Sequence, residues 1–96
     1  MTIKELLLEK RDLVLHAASR HGAGNVRVFG SVARGNDDEN SDIDLLVELA
    51  PGTSLLDHAA LCVELEIILG KKVDVVSDRA IKSRIRERIM REAKPL

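Results

Sequence analysis

The sequence predicts a mixed α/β or α+β domain in which helices cover one small β-sheet. Stretches whose apolar residues recur at helical spacing alternate with short β-type runs. Their order is helix, strand, short helix, strand, helix, strand, helix, which is expected to place helices over a sheet. At 96 residues, with 45% hydrophobic and 32% charged, the chain is long enough to bury one modest core. We therefore expect a single domain over residues 1–96.

The first helix is predicted to begin at Thr2, because Thr2 and Glu5 have the spacing of a capping box. Glycines at Gly22 and Gly24 are expected to end it. Its apolar positions recur at helical spacing: Leu6, Leu7, Leu13, Val14, Ala17 and Ala18.

Three strands are predicted, at residues 25–29, 42–48 and 72–77. In the second strand, one face carries Ile43, Leu45 and Val47, and the other carries Asp42, Asp44 and Leu46. Such alternation is typical of a strand with one face against a core.

Two more helices complete the prediction. One begins at Ser54 and ends at Gly70, with apolar residues at Leu55, Leu56, Ala59, Ala60, Val63 and Ile67. The last helix is expected to be capped by Asp78 and to carry Ile81, Ile85 and Ile89 on one stripe. Its arginines are expected to form the solvent face.

Composition excludes several classes of protein. Phe29 is the single aromatic residue, so the chain lacks the stacking platforms of a dedicated binder of single-stranded nucleic acid. No apolar stretch approaches the roughly 20 residues of a membrane span, and the N-terminus interleaves charge with leucine, unlike a signal peptide. The single cysteine, Cys62, is expected to be a buried thiol. We expect a cytoplasmic protein with no membrane association.

Charge is distributed unevenly along the chain. Residues 1–78 hold 8 basic and 14 acidic side chains, whereas residues 79–96 hold 7 basic and 2 acidic ones. The basic tail indicates a polyanion or an acidic partner near it.

Three aspartates are candidate metal ligands. Asp42 and Asp44 project from one face of a strand with Cα atoms roughly 6.6 Å apart, and such like charges repel unless a cation or proton separates them. Asp74 lies between two valines, where a carboxylate is costly without a partner. It would complete a three-carboxylate cluster if the third strand neighboured the second. Oxygen-only ligands favour Mg²⁺. The alternative is that these are surface acids, with Asp74 on an exposed edge strand.

The segment after the first strand is a candidate phosphate site. Gly30 and Ser31 are expected to open a short helical turn that ends at Gly35, with amides and a hydroxyl available to an anion. Arg34 either adds a charged donor for the anion, is solvated or pairs with the acidic loop. That loop, Asp37, Asp38, Glu39 and Asn40, is expected to be solvated. The glycine spacing imitates a P-loop, but residues 36–37 replace its Lys-Ser/Thr.

The combination of Gly30-Ser31, ten further residues and the Asp42-x-Asp44 pair, with Asp74 in a later strand, resembles the DNA polymerase β-type nucleotidyltransferase superfamily. The short GSVARG form resembles its minimal nucleotidyltransferase (MNT) branch. Several members of that branch are antitoxins paired with HEPN-type ribonuclease toxins.

The resemblance implies a polymerase β-like fold and a role for each residue. Gly30 and Ser31, with Arg34, would bind the nucleotide phosphates. Asp42, Asp44 and Asp74 would be catalytic and would bind one or two Mg²⁺ ions. Asp74 would also help to deprotonate the attacking hydroxyl.

The implied function is a Mg²⁺-dependent transfer of AMP from ATP to a hydroxyl, expected to be a tyrosine of a HEPN-type toxin, in a hetero-oligomer. Two alternatives remain open. The chain could be a non-catalytic antitoxin that masks its partner, or a nucleotidyltransferase that acts on a small molecule.

Overall fold

The computed structural model describes residues 1–38 and 40–96. These residues form five α-helices, one 3₁₀ helix and four strands. In chain order they are α1 (Ile3–Glu9), α2 (Arg11–Arg20), β1 (Ala23–Phe29), α3 (Gly30–Arg34), β2 (Ile43–Leu49), α4 (Leu55–Leu69), β3 (Val73–Ser77), the 3₁₀ helix (Asp78–Ala80), α5 (Ser83–Glu92) and β4 (Lys94–Pro95).

The strands form one mixed sheet in the order β3-β2-β1-β4. β2 is parallel to β3 and antiparallel to β1, and β4 is antiparallel to β1. The parallel pair is joined by α4, as a parallel connection requires. The predicted class, a small mixed sheet covered by helices, is confirmed.

One face of the sheet forms the core with α1, α2 and α4. As predicted, Ile43, Leu45 and Val47 point into this core and are fully buried. The helices contribute buried side chains from three elements: Ile3, Leu7, Val14, Ala17, Ala18, Leu61, Leu65 and Leu69. Asp44 lies on the opposite face of β2, and its register partner Asp74 lies on the same face of β3, so both are outside the core.

The predicted first helix is two helices. Thr2 and Glu5 form the expected capping box, but α1 ends at Lys10, whose backbone (φ −97°, ψ 7°) leaves the helical region before α2 begins. The bend lets Ile3 and Leu7 of α1 reach the same core as α2. A single straight helix could not do this.

The first strand, β1, begins at Ala23, two residues before its predicted start at Asn25. Gly24 does not end a helix but lies within β1, and the register of β1 against β2 shifts between Gly24 and Arg27. Asn25, with a positive φ of 46°, lies at this irregularity. Such bulges bend a strand.

The chain end also differs from the prediction. Asp78 does not cap the last helix: it begins the 3₁₀ helix, and α5 starts after Lys82. Ile81 therefore precedes α5 instead of sharing its stripe. β4 was not predicted, since two residues carry no periodicity, and its Pro95 is tolerated because β4 is an edge strand.

Helix α4 has the predicted ends, with a capping box between Ser54 and Asp57 and a left-handed Gly70 after its last turn. Its buried residues are Leu61, Leu65 and Leu69. The six apolar positions that marked this helix in the sequence face away from the core.

Within residues 1–38 and 40–96, no helix combines the length and apolar character needed to cross a membrane.

Candidate active site

Two of the candidate carboxylates, Asp44 and Asp74, are neighbours on the paired strands β2 and β3. Asp44 and Asp74 are register partners in this parallel pair, so their Cα atoms are about 4.8 Å apart and their side chains leave the same face of the sheet. Asp42 precedes β2 by one residue and is exposed. Asp74 thus has the neighbour that the sequence could propose only conditionally.

Gly30 lies directly against Asp44. A Cβ atom built on Gly30 would be 2.2 Å from Oδ2 of Asp44, far inside van der Waals contact, and Gly30 has a φ of +74°. Phe29, the residue before it, is the β1 register partner of Asp44. Glycine is therefore required here both by the backbone conformation and by the carboxylate.

The environment of Asp44 disfavours its charged form. Burial raises the pKa of the Asp44 carboxyl, and the neighbouring charges of Asp74 and Asp42 raise it further, whereas Arg34 lowers it. A cation at this position would relieve the repulsion.

The acidic side chains at the β2–β3 pair are the candidate metal ligands of this site. Among the residues that the structure describes, no three His, Cys, Asp or Glu side chains are already gathered around one point. Asp44 and Asp74 are nevertheless adjacent hard oxygen donors, and Mg²⁺ is usually bound by one or two carboxylates together with substrate phosphates. These residues fit a site that phosphate oxygens of a ligand would complete.

Arg34 lies at the end of α3 and pairs with α5 instead of the acidic loop. Its Nη1 is 3.1 Å from Oε2 of Glu92. Arg34 is also close enough to influence Asp44, so α5 holds this cation near the carboxylates. Ser31 is partly exposed in the first turn of α3.

In the described part of the acidic loop, Asp38 and Asn40 contact each other. Asp38 accepts a hydrogen bond from the backbone N–H of Asn40 at 2.8 Å, and Asp38 and Asn40 are both exposed. Asp37 is partly exposed. Glu39, which was assigned to the same solvated loop, lies outside the described residues.

Sequence reasoning missed Glu92 and Arg27. Glu92 is 58 positions from Arg34, and no local pattern could connect them. Arg27 shares the sheet face of the aspartates, and strand alternation could have found it, because Arg27 lies between the inward-facing Val26 and Val28. Its Nη1 contacts Sδ of Met90 at 3.7 Å, while its buried Nε and Nη2 have no hydrogen-bond partner among the described residues.

The histidines and Cys62 belong to the helices. His58 Nε2 is 2.7 Å from the backbone oxygen of Val75, and His21 Nε2 is 2.7 Å from Oε2 of Glu64. His16 is exposed. Cys62 is partly buried instead of fully buried, and burial raises the pKa of its thiol.

Comparison with protein families gives a match over residues 10–96 to the family described as nucleotidyltransferase domain. Among curated proteins, the chain is 38% identical over 92 residues to the protein adenylyltransferase MntA of Thermococcus cleftensis, covering 91% of this chain and 93% of that protein. It is 47% identical over 74 residues to a Methanocaldococcus jannaschii protein with the provisional name of protein adenylyltransferase, covering 77% and 80% of the two chains.

Among solved structures, one described provisionally as a minimal nucleotidyltransferase has a TM-score of 0.89 and 52% identity, covering 100% of this chain and 97% of that one. A toxin–antitoxin structure with AMP-PNP has a TM-score of 0.75 and 22% identity, covering 88% and 69%. The second likeness concerns the fold alone.

Proposed function

This chain belongs to the nucleotidyltransferase domain family, and from that premise we propose that it transfers AMP from ATP to a hydroxyl group of a partner protein. The observation that carries the proposal is the placement of Asp44 against both Asp74 and Gly30. It puts an acidic pair, suited to a cation, beside the glycine that begins α3. The relatives named as protein adenylyltransferases support this choice of acceptor class.

In this proposal the residues around the paired strands β2 and β3 have different roles. Asp42, Asp44 and Asp74 would hold one or two Mg²⁺ ions, which would supply charge neutralisation for the triphosphate. Gly30 and Ser31 contact the β- and γ-phosphates, with Arg34 adding positive charge on the same side. Asp74 is exposed and can therefore accept a proton from an incoming hydroxyl.

The reaction exchanges a phosphoanhydride bond of ATP for a phosphoester bond to the acceptor. The acceptor oxygen attacks the α-phosphorus of ATP, its proton passes to Asp74, and the bond from the α-phosphorus to the bridging oxygen breaks. The products are the AMP ester and pyrophosphate, which carries away the electron pair of the broken bond. Placement of the attacking oxygen in line with the leaving group accounts for much of the rate in such reactions.

The proposed acceptor is a tyrosine of a HEPN-type toxin, with this chain acting as the antitoxin in a hetero-oligomer. This chain contains no tyrosine, so a tyrosine acceptor has to come from another protein. The toxin–antitoxin complexes among structures of the same fold make a toxin a reasonable partner to test. The proposed working unit is one minimal domain spanning residues 1–96.

Intact mass spectrometry tests this proposal. The chain is incubated with a HEPN-type protein, ATP and Mg²⁺, and the partner is expected to gain one or more AMP units. The gain should disappear with Asp44→Asn and with a tyrosine-to-phenylalanine change at the modified position of the partner. Asp12→Asn is the matched control, because the Asp12 side chain is 99% exposed on α2.

The outcomes separate the alternatives. Tight binding without any gain of mass, with ATP left intact, would favour an antitoxin that only masks its partner. AMP found on RNA or on a small alcohol would refute the protein acceptor while leaving the chemistry in place.

A further inference from the structure

Helix α4 presents an apolar face to solvent. We define this outer face by Leu55, Leu56, Ala59, Ala60, Val63 and Ile67. Its large side chains are exposed to 85% at Leu55, 82% at Leu56, 57% at Val63 and 77% at Ile67. Apolar residues therefore occur on both sides of α4, since Leu61, Leu65 and Leu69 fill the core on the inner side.

An amphipathic helix at a protein surface is expected to be polar on its outer side, and a helix that is apolar all round is normally buried. The outer face of α4 has the further regularity of a helix-packing stripe. Leu56, Ala60, Val63 and Ile67 follow a 4-3-4 spacing, which keeps them on one side of the helix and suits a second helix laid along it. Contiguous exposed apolar patches of this kind mark interaction sites.

Charge identifies the kind of helix that fits. α4 contains no lysine or arginine. Asp57 and Glu64 border the outer face on one side and Glu66 borders it on the other, and Glu64 already pairs with Arg20. A second copy of α4 would bring the same acids against these borders, which is unfavourable.

The basic helix α5 of a second copy offers little free apolar surface, because Ile85 is 44% exposed and Met90 only 37%. Met90 contacts Arg27, Ile89 is partly buried, and Glu92 pairs with Arg34. The acidic borders of α4 therefore favour a helix of a different protein as the occupant.

We infer that the outer face of α4 is the docking surface for a helix of the partner protein, one whose apolar stripe is bordered by lysine or arginine. This inference rests on the proposed function, which supplies a partner protein. Recognition would follow the helix-in-groove mode, in which apolar anchors give affinity and flanking charges give orientation.

The position of this surface is compatible with catalysis. α4 covers the core side of the sheet, whereas Asp44 lies on the opposite side. The C-terminal end of α4 leads through Gly70 into β3, which carries Asp74. A partner seated on α4 would leave the carboxylates open to ATP while standing near the end of the sheet where Asp74 lies.

Calorimetric titration with the HEPN-type protein tests the inference. Val63→Glu and Ile67→Glu place a charge on exposed positions of α4, so they are expected to preserve the fold and ATP binding but to weaken partner binding at least 10-fold. Leu8→Glu is the matched control, because Leu8 is 71% exposed on α1, and it should bind like the wild type. Circular dichroism checks the fold of each variant, and affinity should fall as salt rises.

Each result has a definite meaning. If the wild type binds and transfers AMP while Val63→Glu and Ile67→Glu bind equally well, the docking surface is wrong and the proposed function stands. If the wild type neither binds nor modifies the HEPN-type protein, the proposed function falls and the inference falls with it. If the chain alone sediments as a dimer that Val63→Glu dissociates, a second copy is the occupant and the partner helix is refuted.

Discussion

At the scale of single residues, Asp44 is the centre of the site. It is partly buried, lies beside Asp74 across the parallel pair and fills the space left by Gly30. Burial raises the pKa of its carboxyl, followed by the charges of Asp74 and Asp42. The free protein therefore carries an unfavourable charge at the position where the proposed reaction needs one.

This situation predicts the effect of Asp44→Asn. Transfer of AMP should fall by at least roughly 100-fold, the scale of losing one electrostatic stabiliser. The metal-free variant should be as stable as the wild type or more stable, by a few tenths to about 1 kcal/mol, because like charges directly opposite each other destabilise strands and solvent screens part of the effect. Mass spectrometry and urea unfolding measure the two effects.

The pH dependence follows from the direction of the shift. Because the folded-state pKa of Asp44 is raised above the unfolded value of about 3.9, the folded protein binds the proton more tightly. The stability of the wild type should thus fall as pH rises from about 4 through the folded pKa, whereas Asp44→Asn should lack this decrease. A variant that is less stable than the wild type at neutral pH without metal would contradict the argument.

At the scale of elements, the junction between β1 and α3 decides whether the site can form. The chain turns at Gly30 with φ +74° and at Gly35, the residue after α3, with φ +77°. A side chain at either position would strain the backbone. A Cβ atom at Gly30 would also clash with the Asp44 carboxylate, whereas a Cβ atom at Gly35 would meet nothing within 4 Å.

These two glycines give a matched pair of variants. Gly30→Ala and Gly35→Ala should each lose about 1–2 kcal/mol of stability from the left-handed backbone, and Gly30→Ala should also displace the Asp44 carboxylate and abolish transfer. Ser31→Ala should weaken ATP binding about 5-fold, the equivalent of one hydrogen bond of about 1 kcal/mol. Thermal unfolding and isothermal titration measure these effects.

The two variants should differ in activity, because only Gly30→Ala is expected to abolish transfer of AMP. Equal residual activity in Gly30→Ala and Gly35→Ala would show that the contact with Asp44 does not matter. Unchanged ATP affinity in both Gly30→Ala and Ser31→Ala would place the phosphates elsewhere.

At the scale of the whole molecule, an acidic body is combined with a basic tail. α5 folds back so that Arg34 pairs with Glu92 and Arg86 donates to the backbone oxygen of Asp78 at 2.6 Å. The other arginines of α5 are exposed, as expected for its solvent face: Arg84, Arg88 and Arg91. The basic tail therefore makes contacts within its own chain and also carries positively charged side chains that are exposed to solvent.

Binding of Mg²⁺ and ATP should stabilise the whole fold. Ligand at about 100 times its Kd adds about 2.7 kcal/mol, which for a domain of this size raises Tm by about 10 °C or more. Differential scanning fluorimetry should detect this shift in the wild type and in Asp12→Asn, and a much smaller one in Asp44→Asn or with a chelator present. An equal shift in Asp44→Asn would remove Asp44 from the binding site.

The features that the sequence determined by itself are local. Strand alternation placed Ile43, Leu45 and Val47 in the core, the Ser54–Asp57 box fixed the start of α4, and the spacing of Gly30-Ser31 and the Asp42-x-Asp44 pair identified the family. The first two depend on residues a few positions apart, which interact through local backbone geometry, and the third is a motif within 15 consecutive residues.

The tertiary structure decided which distant residues meet. Asp74 became a neighbour of Asp44 only because β3 pairs with β2 in parallel, and Glu92 reached Arg34 only because α5 folds back. The tertiary structure also determined which side of α4 is buried. Because α4 has apolar residues on both sides, its sequence contains no pattern that marks the inner face. These contacts depend on the packing of elements that are far apart in the chain. A local sequence pattern contains no information about such packing.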